Sequence, residues 1–511
     1  MSDINLEDFN IVEEGKAKIL FPKKEDVFYN PIQQFNRDLS TAAIRAWAEL
    51  YGNKLIQPKK RKTDSEEPKE LEKHEIKPYI SILEALSATG LRAIRYAKEI
   101  PNVKSIVAND FSKEAVKSIN RNIEYNNVGH ILTSNEGDAN AFMYQSKSQN
   151  RLFNVIDLDP YGTATPFIDA AIQNLGNEGL LLVTCTDLAV LAGGGYPEKC
   201  FALYGGTTLI NHDASHEAAL RLVLNQIGNT AARYKKTIEP LLCLSIDFYV
   251  RIFIKVKTSP IEVKKLASKT SLQYVCSVCG SIHDQPLGKI TTRENGTDKF
   301  GLSQGSSRAG SNCFYCGFTQ HVAGPMYNGP LQNKEFIDKI LHINKNELDD
   351  ETYKTRKRIE GMLTLARNEI DAPFYFKPEK ISSVLKCQVP PLKTVIAALG
   401  NLGFEASLTH ATPSAIKTNA DWDSLWAIFK HYVQTKAPND LSKMNQNAAG
   451  YKILTNDNIK LRSADDQIEN GKEISFERNE LSGRIEKLRK LKIVRYQENP
   501  TKNWGPKAKP Q

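Results

Sequence analysis

The chain of 511 residues has no uninterrupted apolar run approaching the ~18 residues of a membrane span, which argues for a soluble protein. Its first residues, MSDINLEDFNIVEEG, have neither the basic-then-apolar layout of a secretory signal nor the arginine-rich, acid-poor layout of a transit peptide. A nuclear or cytoplasmic address is the expectation, and the sequence leaves a mitochondrial form from another start open. Cysteines are few, eight in all, and only Cys276, Cys279, Cys313 and Cys316 fall into close pairs, a pattern closer to a metal site in a reducing compartment than to a disulfide framework, so free thiols plus zinc are the expectation. There is no internal repeat and no G-x-G-x-x-G.

What the chain does have is length for several domains and a net charge of +9, which suits an anionic partner and equally a basic metabolic enzyme. Residues 56 to 77 are densely charged without apolar period and read as an exposed insertion. Its Lys59 to Lys62, KKRK, is either a nuclear signal or a solvated charge cluster.

From Tyr79 to about Val256, β-branched runs alternate with amphipathic stretches, the pattern of a parallel, doubly wound α/β sheet, and LSIDFYVRIFIKV closes it as a strand or hairpin. Ligands of such sheets lie beyond the carboxyl ends of the strands. Those ends carry Ser87-Ala88-Thr89-Gly90, then Asp110 twenty residues after Gly90, then Gly137-Asp138-Ala139, then Asp157-Leu158-Asp159-Pro160-Tyr161. An acid after the second strand suits the ribose of a nucleoside cofactor, whether NAD or S-adenosylmethionine. Each aspartate alone is also an ordinary helix cap.

Asp-Pro-Tyr at a strand end has a specific chemical use. The lone pair of a nucleobase amine is delocalised, and a carboxylate with a proline-held carbonyl can accept its two N–H bonds and steer the lone pair towards an electrophile. An adjacent aromatic stacks on a base taken out of its helix. The motif is similar to the [D/N]-P-P-[Y/F] of amino-methyltransferases.

YVCSVCG and NCFYCGFT form two knuckles separated by 33 polar, Gly/Ser-rich residues, a four-cysteine zinc pattern. His283 is a possible decoy ligand. Beyond about Gly329 the sequence is mainly helical. EKISSVLK, a Pro390-Pro391 break, LKTVIAALGNL and GFEASLT fit either a winged helix-turn-helix or another small helical unit. Residues 484 to 511 hold nine Lys or Arg against Glu486 and Glu498, with Tyr496 and Trp504 interleaved. This basic tail either tracks phosphates or is merely solvated, unless Ile485, Leu488 and Leu491 pack as one helix face.

Taken together, VFYNPIQQFNRDLS, LSATGLRAIRYA, DLDPYGTATPFIDAA, VTCTDLAVLAG, the paired knuckles and THATPSAIKTNA resemble the tRNA (guanine-26-N2)-dimethyltransferase family in its fungal form. The resemblance implies a Rossmann-like class I methyltransferase domain over 1–260, a zinc segment over 261–328, a C-terminal tRNA-binding domain over 329–480 and a basic tail over 481–511. It implies methylation of N2 of guanosine 26 of tRNA, once and then twice, with S-adenosylmethionine as donor and a structural Zn2+. Arg37 and Arg92 would line the methionine end of the cofactor, Asp110 its ribose, Asp138 and Ala139 its adenine. Asp159 and the Pro160 carbonyl would hold the amine, with Tyr161 stacking and Phe28 or Tyr29 closing the pocket. An NAD-dependent oxidoreductase, a non-catalytic nucleic-acid binder and a DNA adenine methyltransferase are the rival readings.

Overall fold

The computed structural model describes residues 5–23, 29–52, 77–438, 440–461, 473–491 and 493–496. Phe28, KKRK and Trp504 lie outside them, as does nearly all of the charged insertion. An antiparallel hairpin of β1 (Phe9–Glu14) and β2 (Ala17–Pro22) precedes helix α1 (Gln34–Leu50). Strands and helices then alternate: β3 (Ile80–Glu84), α2 (Leu91–Glu99), β4 (Val103–Asp110), α3 (Lys113–Tyr125), β5 (Leu132–Glu136), α4 (Ala139–Ser148), β6 (Phe153–Leu158), α5 (Thr165–Asn174) and β7 (Leu175–Cys185). Helices α6 (Leu188–Leu191), α7 (Pro197–Tyr204) and α8 (Ser215–Ala232) lead to β8 (Lys236–Ile246) and β9 (Tyr249–Thr258). The long aromatic run near 250 is therefore half of a hairpin.

These strands form a seven-stranded sheet in the order β5-β4-β3-β6-β7-β9-β8. The first five are parallel and β9 runs antiparallel to both neighbours. Chain direction across the sheet reverses between β3 and β6, so their carboxyl ends flank a crevice, and both strands are apolar because helices cover both faces. On one face Ile168, Leu220 and Leu224 pack from α5 and α8. On the other, Phe35, Leu39 and Trp47 of α1 and Ile94 of α2 pack over Ile82 and Val155.

After α9 (Pro260–Val263), strands β10 (Thr270–Cys276), β11 (Ile282–Pro286), β12 (Gly288–Thr292), β13 (Asp298–Leu302) and β14 (Gln320–Tyr327) make a three-stranded sheet, β11-β10-β14, and a separate hairpin, β12-β13. The hairpin accounts for the polar residues between the knuckles. Next come α10 (Lys334–Asn346) and α11 (Arg356–Arg367), then α12 (Pro378–Leu385), α13 (Leu392–Asn401), the two-stranded pair β15 (Ala406–Ser407) and β16 (Lys417–Thr418), α14 (Trp422–Thr435), α15 (Ala449–Leu454) and α16 (Glu480–Lys490).

Two features cross the boundaries expected from sequence. Phe336, Ile340, Ile359 and Leu363 of α10 and α11 share the core of α1 and the catalytic sheet, although they follow residue 329. The four knuckle cysteines share a core with Leu385, Leu399 and Trp426 of the C-terminal helices.

The basic tail also differs from a free phosphate-tracking segment over its described part. Asn479 caps α16 in a reciprocal capping box with Ser482. Ile485 is buried and Leu488 partly so in the C-terminal core, while Leu491 is exposed. Period-3.6 packing thus competes with charge for this stretch and wins. Truncating Ile485 to Ala should cost about 2–4 kcal/mol, read as a lower denaturant midpoint, and deleting Arg484 to Gln511 should lower the melting temperature. An unchanged melt would show that α16 adds nothing to the core.

Candidate active site

The loop after β3 turns tightly before α2. Ala88 and Gly90 have φ of 50° and 80°, so small residues are needed where the backbone is left-handed and a ligand can approach it. Asp110, at the end of β4, fixes this loop: one carboxylate oxygen accepts from the Ala88 amide at 2.8 Å and the other from Ser112 at 2.9 Å. Asp138 caps α4, accepting from Ala141 at 2.8 Å, and Ala139 is buried in the first turn. Asn109 was missed by sequence reasoning. Its buried amide donates to Ala85 O at 2.9 Å and Gly137 O at 3.2 Å, tying the loops after β3 and β5 together. Phe111 beside it is 80% exposed.

The two aspartates of the Asp-Leu-Asp stretch have different surroundings. Asp157 is wholly buried and accepts from Arg251 at 2.8 and 3.1 Å and from the Tyr96 hydroxyl at 2.6 Å. Burial opposes its charge, but Arg251 and Arg92 more than offset that and hold its pKa below the usual range. Asp159 lies past the last residue of β6, its side chain 22% exposed and ion-paired with Arg92. The residues that follow are pinned. Gly162 N donates to Thr186 Oγ1 at 2.8 Å and Gly162 O accepts from Thr186 N at 2.8 Å. The buried Tyr204 hydroxyl lies 2.8 Å from Thr163 Oγ1 and donates to Asp187 at 2.7 Å. Tyr161 projects from this fixed loop and is 79% exposed.

Arg37 lies on α1, bidentate to Glu14 at 2.6 and 2.5 Å, with its guanidinium 5.6 Å from the Tyr29 ring centroid. The Tyr29 hydroxyl donates to the same Glu14 at 3.1 Å, and burial and that carboxylate raise its pKa to about 12. Ser40, one turn on, accepts from Arg92 at 3.3 Å and from Arg251 at 2.7 Å, so α1 is keyed onto the strand ends. Away from the sheet, the Sγ atoms of Cys276, Cys279, Cys313 and Cys316 all lie within 4.8 Å of one another. Cys276 and Cys316 are 3.4 Å apart and Cys279 and Cys313 3.6 Å. Thiolates around a tetrahedral zinc at ~2.3 Å stand roughly 3.8 Å apart, whereas a disulfide needs ~2.05 Å, so the cluster fits a metal. His283 is outside the cluster, its ring 5.5 Å from that of Tyr315.

The model of the N2,N2-dimethylguanosine tRNA methyltransferase family matches residues 2–430. The chain belongs to this family. It is 59% identical over 535 residues to a Saccharomyces cerevisiae protein named mitochondrial tRNA (guanine(26)-N(2))-dimethyltransferase, covering 99% of this chain and 93% of the relative. The Schizosaccharomyces pombe tRNA (guanine(26)-N(2))-dimethyltransferase is 45% identical, with 97% and 92% covered. Among solved structures, Trm1 from Pyrococcus horikoshii in complex with S-adenosyl-L-methionine superposes with a TM-score of 0.64 at 26% identity, over 81% of this chain and 98% of that one.

Two cavities in this family member lie away from the strand ends. One of about 450 Å³ opens between the first knuckle and α12, and one of about 560 Å³ between β11 and the start of α14. The conclusion about chemistry therefore rests on the strand-end groups and not on cavity size.

Glu84 sits under the crevice, accepting from the Ala93 amide at 3.0 Å and from the Ser87 hydroxyl, with Arg92 at 3.7 Å. Full burial raises its pKa to about 8 from an ordinary 4.5, against the pull of Arg92. Three carboxyls, Glu84, Asp157 and Asp159, share two guanidiniums there, so a neutral Glu84 balances the charge. The neutral form favours the fold: its contribution is complete below about pH 4.5 and is lost as pH rises through 8. Glu84→Gln should keep the melting temperature at about pH 4.5 and flatten its decline between about pH 4.5 and 8. An unaltered decline would show that Glu84 is ionised throughout.

Proposed function

We propose that this chain methylates the exocyclic N2 of guanosine 26 of tRNA, once and then twice, using S-adenosylmethionine. Family membership and the activity for which relatives at 59% and 45% identity are named support the reaction. The observation that carries the residue assignment is the position of Asp159-Pro160-Tyr161 at the end of β6, beside strand ends bearing Asp110 and Asp138.

Asp110 suits the ribose and Asp138 with the Ala139 amide the adenine of the cofactor, and the left-handed backbone at Ala88 and Gly90 lets a ligand come close. Arg37 and Arg92 would face its carboxylate. Pairing with Glu14 uses Nε and Nη2 of Arg37, and a guanidinium has five N–H donors, so the ion pair is compatible with that role. The bound cofactor supplies an electrophilic methyl group. Asp159, fixed by Arg92 yet reachable from solvent, accepts one N–H of the guanine amine and the Pro160 carbonyl the other. Tyr161 stacks on the base, and Tyr29, with Phe28, closes the pocket. Holding both N–H bonds turns the nitrogen lone pair towards the methyl carbon and disperses the positive charge that develops.

The same reading gives the four cysteines a structural Zn2+, α12 to β16 a winged-helix-like tRNA-binding unit, and the protein a nuclear or cytoplasmic address with a mitochondrial form beside it. No helix among the described residues is long and apolar enough to cross a membrane.

Incubation with methyl-labelled S-adenosylmethionine and unmodified tRNA should label N2 of guanosine 26 and leave tRNA carrying adenosine there unlabelled. Equal labelling of the adenosine variant or of duplex DNA would overturn the assignment. Asp159→Ala should lower the rate about 100-fold or more at near-normal cofactor affinity, and near-wild-type turnover would remove Asp159 from the mechanism. Cys313→Ser should lower bound zinc and the melting temperature together; freshly purified protein without zinc would refute the metal.

A further inference from the structure

Gly361 stands in the interior of α11, where alanine would make a more stable helix by about 1 kcal/mol. The reason for glycine is a close approach: a Cβ there would lie 3.0 Å from the Ile493 side chain and closer still to the Val494 carbonyl oxygen. Residues 493–496 are thus seated on α11 at a residue whose missing side chain makes room for them. Arg358, one turn earlier and buried, fastens the seat from both sides. Its Nε donates to Arg495 O at 3.1 Å and its Nη2 pairs with Asp247 at 2.8 Å.

Asp247 and Phe248 form the turn between β8 and β9, and the register tells where that turn lies. Cys185, the last residue of β7, pairs with Val250, so the turn projects beyond the carboxyl ends of the parallel strands. That is the edge that carries Asp159. The turn is two strands from β6, roughly 10 Å at ~4.8 Å per strand, a distance of one to two nucleotides. Phe248 is 41% exposed there and Tyr496 58%, and the Arg495 guanidinium donates to Thr409 O at 3.3 Å.

We propose that the strap Ile493–Tyr496 and the turn Asp247-Phe248 form one wall of the RNA-binding face, where Phe248 and Tyr496 stack on nucleotides flanking the extruded guanosine. The proposal rests on the tRNA reading above. Exposed rings beside an anchored cation, continuous with the catalytic crevice, suit unpaired bases and their phosphates, since every base offers a π-face.

The test uses the full, zinc-loaded chain and an unmodified tRNA transcript. Tyr496→Ala and Phe248→Ala should each raise the KM and the filter-binding Kd for tRNA about 5-fold or more, with cofactor affinity unchanged. Gly361→Ala is the discriminating variant. It should weaken tRNA binding by a similar factor with cofactor affinity unchanged, because its Cβ meets the Val494 carbonyl oxygen and pushes the strap off its seat. Wild-type tRNA affinity in Gly361→Ala and Tyr496→Ala would overturn the proposal, as would a lowered melt with unchanged affinity or equal competition by duplex DNA. The binding arm keeps the two readings separate: methylation of guanosine 26 with unaffected variants sinks the wall alone, whereas weakened variants of a chain that does not methylate that guanosine sink the reaction alone.

Discussion

A buried charge cluster under the crevice is the constraint on which the rest of the structure depends. Asp157 lies between Arg251 and Arg92, with Tyr96 on its second oxygen and Glu84 behind Arg92, and every one of these groups is buried. Removing such charges from water is costly, and removing one partner strands the others, so the cluster tolerates only one arrangement. Its members come from β3, α2, β6 and β9, and Ser40 adds α1. Five elements are thereby held at one point. Asp159 hangs from the same Arg92, so the group assigned to the amine inherits its position from the network and not from the loop alone.

Local signals in the sequence were enough to read the alternation of strands and helices up to residue 260, because apolar or β-branched runs ending at or near acidic residues mark the parallel strands. The paired knuckles were legible for the same reason: four cysteines in two short stretches need no knowledge of the fold. What was not legible is non-local. Nothing in Asp-Leu-Asp distinguishes the buried member from the reachable one; that depends on Arg251, 94 residues on, and on β6 ending at Leu158. Asn109 looked like one more polar residue before Asp110, and its bridging role appears only when two loops converge on it.

Helices α10 and α11 show a second kind of limit. Their apolar period announces a buried face but not which core receives it, and both turn back to α1 instead of joining the domain that follows. In α16 the opposite error arises, since Arg484, Lys487, Arg489 and Lys490 dominate the composition while Leu481, Ile485 and Leu488 decide the packing.

These placements bear on how one guanosine can be chosen among many. A pocket that recognises a guanine amine has no means of knowing where in an RNA it lies, so selection must come from surfaces held at a fixed distance from Asp159. Flexible attachment of the C-terminal domain would blur that distance. The contacts between the two parts are instead buried and polar. Lys417 pairs with Glu217 at 3.1 Å, the Phe374 amide donates to the same Glu217 at 2.7 Å, and the Ser245 amide donates to His410 Nε2 at 3.0 Å. Arg221 donates to the carbonyls of Tyr327 and Gly329 as the chain leaves β14. Sliding the C-terminal domain against the sheet would leave several of these groups unpaired at once, each at a cost of about 1–3 kcal/mol. The THATPSAIKTNA stretch, which supplies His410 and Lys417, therefore holds the C-terminal helices at a fixed distance from the sheet.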